Sequence, residues 1–170
     1  MKFFLTLAAV FALTGGLYAA EIAVTPNNGK VLFTIKGTLA GTVNGSFDKF
    51  SGTAIVDDNG DLTALNGTVE VSSVNTANKG RDDHLRQDDF FDAAKFPSIT
   101  FASTEAKSSS LHGNLTIRDI TKPIVLTIEK TAEGFSLKGS LNRVDFAVGD
   151  NVKTNMSVDK PLTIAVEIKK

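Results

Sequence analysis

The residues with the most chemical potential lie together in "NTANKGRDDHLRQDDFFDAAKFP", Asn75 to Pro97. Five aspartates, two arginines and one of the chain's two histidines fall inside it. Three kinds of chemistry suit such a set. His84, Asp88 and Asp92 are four apart, so a helix puts them on one face with Asp82 and Asp89 near, the outline of a metal site. A single histidine among carboxylates is a poor zinc set, however, and the calcium-loop spacing is absent. Solvated, capping or salt-bridged aspartates account for the charge more simply. Second, His84 beside an aspartate is the base half of a catalytic arrangement; His112 is the other histidine. There is no Gly-x-Ser-x-Gly elbow and no cysteine. A Ser–His–Asp set assembles from distant positions, but nothing marks one serine, and a structural role for His84 is the simpler reading. Third, a short helix that turns Leu85, Phe90, Phe91 and Phe96 downward is a cap over whatever lies beneath. Plain core and ligand-lining cap both satisfy that pattern.

Almost everything around this segment reads as strand. From about Val24 onward, short alternating runs are separated by Gly, Asn, Asp and Pro. Val31, Phe33 and Ile35 share one parity; so do Leu65, Gly67, Val69 and Val71, and later Leu111, Gly113, Leu115 and Ile117. Further runs end with Phe135, Leu137, Gly139 and Leu141, and with Leu162, Ile164, Val166 and Ile168. "DDNGD", Asp57 to Asp61, is a hairpin turn, because Asn-Gly tolerates positive φ. Eight or nine such runs imply an all-β domain burying one face of nearly every strand; tight turns at long spacing favour an antiparallel barrel over a sandwich. Gly45, Gly67, Gly113 and Gly139 share their strands' apolar parity. A bulge or corner explains any one of them; four together point to an interior that side chains alone do not fill. Within the charged segment, Asn75, Thr76 and Asn78 suit an N-cap, Asp88 suits the cap of a second turn carrying Phe90 and Phe91, and Pro97 starts the next strand.

The chain's 170 residues suit one domain. Residues 1–20 read as a secretory signal peptide: Lys2 is the charged start, Phe3 to Leu13 is apolar but for Thr6, and small residues allow cleavage after Ala19 or Ala20. That run is too short for a bilayer span, and no later stretch is apolar enough. The domain is then 21–170. Lacking cysteine, it has no disulfides and holds itself by core burial. The whole chain's formal charge of −1 and the lack of a basic block argue against nucleic acid as a partner.

The stretch "SSVNTANKGRDDHLRQDDFFDAAKFPSITF", Ser72 to Phe101, resembles the signature of the YceI-like polyisoprenoid-binding family. A serine-valine-x-threonine turn there precedes Arg-Asp-x-His-Leu and Asp-Phe-Phe-Asp, then Phe-Pro and an Ile-Thr-Phe strand. "GSFDKFSGTAIVD", "HGNLTIRDITKPIVLTI" and "LNRVDFAVG" agree as well, so the likeness spans the mature chain. The resemblance implies an eight-stranded antiparallel lipocalin-like barrel with a short helical insertion capping one end. It implies a periplasmic location, a homodimer as the assembly, and binding of a long amphiphile: a polyprenyl lipid, an isoprenoid quinone, a fatty acid or a fatty amide. No cofactor beyond that ligand is expected. The motif falls on Arg81, Asp82, His84 and Leu85, and on Asp89 to Asp92.

Elementary sizes agree with such a ligand. A strand of about nine residues at roughly 3.3 Å each is about 30 Å long, near an extended chain of about twenty carbons. At roughly 0.8 kcal/mol per methylene, burial gains on the order of 16 kcal/mol before the costs of association. A polar contact at the mouth, worth about 1–3 kcal/mol, selects the head group. Wall candidates are Phe33, Ile35, Phe47, Phe50, Val69, Val71 and Ile99. Phe101, Leu115, Ile117, Leu126, Phe135, Leu137 and Phe146 continue the set. The insertion contributes Arg81, His84, Leu85, Phe90, Phe91 and Phe96, with Arg81, Arg86 and His84 as head-group candidates. The expected activity is carriage or storage without catalysis. The alternatives are an enzyme using His84 with a nearby aspartate, and a filled barrel acting as an interaction or stress module.

Overall fold

A computed structural model describes residues 19–37, 41–150 and 158–170. The leader reading thus lies almost wholly outside the described residues. Among them, no helix is long and apolar enough to cross a membrane.

Alternation becomes strand throughout. The elements are β1 (Ala20–Val24), β2 (Gly29–Gly37), β3 (Gly41–Phe47), β4 (Phe50–Val56), β5 (Leu62–Glu70) and β6 (Val74–Asn75). After the helix α1 (Lys79–Leu85) come β7 (Ser98–Lys107), β8 (Ser110–Ile117), β9 (Ile120–Lys130), β10 (Gly134–Asn142) and β11 (Val158–Lys169). All belong to one antiparallel sheet in the order β1-β4-β5-β7-β8-β9-β10-β11-β2-β3-β6. The sheet is a curled half-barrel, and a two-sheet sandwich is ruled out. Against the expected eight strands the described residues form eleven, two of which, β1 and the two-residue β6, are short and stand at the two ends of the sheet. The ladder does not join β1 to β6. The corner between β3 and β4 instead bonds to the end of β5: Asp48 N–H donates to the Ser73 carbonyl, and Glu70 N–H to that of Lys49. The predicted turn at Asp57–Asp61 is present, with Gly60 at φ +70°. The Asp57 carboxylate accepts the N–H groups of Asn59 and Asp61.

Two apolar clusters fill the ends. Ala54, Val56, Leu62, Leu111, Phe135 and Leu137 pack the end remote from the helix. Val71, Val74, Phe146 and Val148 pack the helix end, beneath Leu85, Phe90 and Phe91. Each fully buried side chain of this size is worth about 1.5–3 kcal/mol, so both plugs are rigid relative to the space between them.

Candidate ligand-binding site

The cap is built by local hydrogen bonds. Asn78 is the N-cap, accepting from Arg81 N–H at 3.0 Å. Asp82, buried in the first turn of α1, accepts from the Thr76 N–H and hydroxyl. The helix ends early. Phe90 and Phe91 do lie in turns after Asp88, residues 87–96 running as successive turns with Asp92 in the left-handed region (φ +51°), which keeps them from joining into a second helix. The Arg86 guanidinium staples the cap to the strand side, donating to the carbonyls of Ser72 and Val74 while pairing with Asp83. Arg118 donates to the carbonyls of Phe90 and Ala147 at 2.6 Å each, and Gly149 N–H donates to that of Asp89. The turns are thereby pinned to the segment after β10, a 3-10 turn at Arg143–Phe146 and its continuation.

Beneath the cap lies a cavity of about 690 Å³, within the range of about 300–1,000 Å³ usual for small-molecule sites. It runs from Val24 and Leu65 near the plugged end to Arg81 and Phe90 under the cap, and its wall is overwhelmingly apolar. The inner-parity side chains therefore do not meet at the centre, and the filled-barrel alternative does not fit.

Most sequence-predicted residues face this space. Phe33 and Ile35 line it from β2, Phe47 from β3, Phe50 from β4 and Val69 from β5. Ile99 and Phe101 on β7, Leu115 and Ile117 on β8, and Leu126 on β9 complete the predicted wall. From the cap come Arg81, His84, Leu85, Phe90 and Phe91. The Phe91 ring meets Phe47 edge-on at 5.8 Å, tying cap to wall.

Five predicted residues do not line it. Phe135 and Leu137 are buried in the remote plug, where the curled sheet narrows onto side chains from neighbouring strands. Val71 falls past the end of β5 in a 3-10 turn, which breaks the parity and sends it into the core under the cap. Phe146 lies in the other 3-10 turn, likewise buried. Phe96 sits between cations, with Lys95 Nζ 5.1 Å and the Arg118 guanidinium 5.6 Å from its ring centre. The glycine expectation also needs correction. A Cβ at Gly45 or Gly113 would overlap the rings of Phe33 or Phe101, and one at Gly139 would lie 2.7 Å from Leu126 Cδ2. These glycines make room for a neighbour's side chain. At Gly67 alone of the four would a Cβ make only ordinary van der Waals contacts, and that position lines the cavity.

Sequence reasoning also missed lining residues. Val31, Val43, Leu162, Ile164 and Val166 share the inner parity, a signal already in the alternation. Arg143 and Asn78 carried no periodic signal. Arg143 Nη1 donates to the carbonyls of Val148 and Gly149; burial pushes its guanidinium below the usual arginine range, and nearby Asp150 partly offsets this.

His84 Nε2 lies 2.8 Å from Asp89 Oδ2, with its ring edge-on to Phe90 at 4.9 Å. His84 thus pairs with Asp89, not with Asp88 or Asp92. Among the described residues no group of three or more histidines and carboxylates is placed to hold a metal ion. No hydroxyl there bonds the His84 ring, so no nucleophile–base pair is assembled on it. His112 faces the outer groove of β7–β9, away from the cavity.

A curled antiparallel sheet around an apolar cavity, closed by a helical cap, defines a lipocalin-like fold. The chain belongs to the YceI-like family: the model of the YceI-like domain matches residues 23–169. The protein YceI of Salmonella newport is 32% identical over 182 residues, covering 95% of this chain and 93% of that one. The crystal structure of a Campylobacter jejuni YceI protein superposes with a TM-score of 0.60 at 33% identity, covering 75% of this chain and 85% of the other. Burkholderia cenocepacia BcnA shares the fold at TM-score 0.70 and 24% identity, over 85% of this chain and 98% of that one. A Saccharophagus degradans domain described as polyisoprenoid-binding shares it at TM-score 0.62 and 13% identity, over 89% and 99%.

Proposed function

We propose that this protein holds a long-chain amphiphile in the cavity, as a periplasmic carrier or store that performs no catalysis on it. The observation that carries the reading is the apolar bore of about 690 Å³ between two packed plugs. Filling such an apolar space with a hydrocarbon chain removes apolar surface from water, which is favourable. The family and the polyisoprenoid-binding description of the S. degradans domain support a polyprenyl lipid or isoprenoid quinone as the occupant. A fatty acid or fatty amide suits the same wall. The leader pattern in residues 1–20 supports export, and family likeness supports a homodimer. His84 has its aspartate, but no hydroxyl beside it among the described residues, which favours binding over hydrolysis. The test is mass spectrometry of an organic extract of the purified protein, with titration of the stripped protein by a neutral fluorescent naphthylamine. Recovery of a long-chain amphiphile and saturable probe uptake are expected. An empty extract together with no uptake rejects the reading.

A further inference from the structure

Among the described residues, the ionisable side chains that line the cavity are Arg81, His84 and Arg143, all bases, and no carboxylate lines it. Their acids stand elsewhere. Asp89 pairs with His84. Asp82 reaches Arg81 only through Thr76, whose hydroxyl donates to Asp82 and accepts from Arg81 Nε at 2.7 Å. Arg81 Nη2 donates to the Thr76 carbonyl at 2.9 Å. Two of the guanidinium's three nitrogens are thereby held on one side, which fixes its plane, while Nη1 has no partner among the described residues. No carboxylate there lies within ion-pair distance of it, in contrast to Arg86 with Asp83.

We infer that Arg81 receives an anionic head group, a carboxylate or phosphate monoester at the end of a long apolar chain, and selects it over neutral heads. This rests on the chain-binding reading above. The guanidinium is held in place before the ligand arrives. It sits at the rim of a low-dielectric space, where a charge-assisted hydrogen bond is stronger than in water. A neutral amide or quinone carbonyl can accept the same N–H but leaves the charge unmatched. Among the described residues no carboxylate lines the cavity to repel such a head.

The experiment uses matched pairs on stripped protein, each competing with the naphthylamine probe at pH 8: oleate against oleamide, and a polyprenyl monophosphate against its polyprenol. Wild type should prefer the anionic member of at least one pair by about tenfold or more; which pair shows the preference separates the carboxylate from the phosphate source. Arg81→Gln should bring that ratio close to one, and Arg81→Lys, which keeps charge without the fork, should fall between. Equal binding within both pairs overturns the anion preference and leaves chain binding intact. Failure of every competitor and of the probe overturns both. If Arg81→Gln does not fold, the Lys variant decides, and a ratio unchanged from wild type in either variant overturns the assignment to Arg81.

Discussion

The ring of Phe33 lies over Gly45, its cross-strand partner on β3, in the volume a Cβ there would need. It also packs against Phe47, with ring centres 5.7 Å apart. The ring is therefore laid along the wall, and the bore in front of it stays open. Gly45→Ala should drive Phe33 off the wall into the lumen. The expected cost is about 1–3 kcal/mol of stability from overpacking, with weaker binding of the longest ligands. Urea midpoints and a chain-length series of competitors measure the two effects. Adding Phe33→Leu should restore much of both, and a Gly45→Ala protein with wild-type stability and chain range would contradict the account.

Gly67 offers the opposite case. A Cβ there meets only the Ser51 carbonyl oxygen at 3.4 Å and Gly52 Cα at 3.9 Å, both ordinary contacts, and the position faces the cavity. Gly67→Leu should thus fold with stability within about 1 kcal/mol of wild type while its side chain occupies the bore. Probe affinity should drop by about tenfold or more. Unchanged uptake by a folded Gly67→Leu protein would place the ligand elsewhere.

What the sequence made legible follows from which signals are local. Period-two alternation placed Phe33, Phe47, Phe101 and Leu115 on the cavity wall, because parity along one strand decides the face. It failed at Val71 and Phe146, where 3-10 turns break the period, and at Phe135 and Leu137, where the parity is right but the sheet closes onto them. Depth along a barrel depends on strand stagger, a non-local quantity. The cap was legible as an interruption with aromatic content, and Asn78 as its N-cap. The pairing of His84 with Asp89 rather than Asp88 was not, since it depends on turns that leave the helix after Leu85. Arg143 was illegible for the same reason: an irregular segment gives no period to read.

Acid should weaken the fold through several surface carboxylates. Asp57 is held below the usual carboxylate range chiefly by the Asp61 backbone N–H, Glu70 by the Ser72 hydroxyl, Asp83 by Lys79 and Glu133 by Lys169. Each has a folded value below its unfolded one, so the unfolded chain binds more protons between the two. The stabilisation is complete above the unfolded values of about 4 and disappears as pH falls through the lower folded ones. Lys169 has the reverse sign: Glu133 raises it, so its contribution is lost only as pH rises through a value above about 10.4. Urea midpoints should be flat on account of these groups from about pH 5 to 8 and decline below about 4. Asp57→Asn should make that decline shallower; an acid limb as steep as wild type's would remove Asp57 from the set.

Among the described residues Asp82 is the one charged side chain that is buried, and both of its bonds from Thr76 end on Oδ1, at 2.8 Å from the N–H and 2.6 Å from the hydroxyl. The carboxylate closes a loop from the last residues before the helix to its first turn. Thr76, so fixed, holds Arg81 by two further bonds. Asp82→Ala strands a buried N–H and hydroxyl, at a cost of about 1–3 kcal/mol. That loss should be local, because Arg86 and Arg118 pin the cap independently. Hydrogen exchange should therefore speed up at the amides of Arg81 and Asp82 while those of β8 and β10 stay protected. Asp82→Asn keeps an acceptor for Thr76 and should lie between. Since the wall would be intact, Asp82→Ala should retain the naphthylamine probe yet lose head-group discrimination along with the fixed guanidinium. Uniformly faster exchange across the barrel would show instead that Asp82 supports the whole fold, and that the cap is not a separable unit.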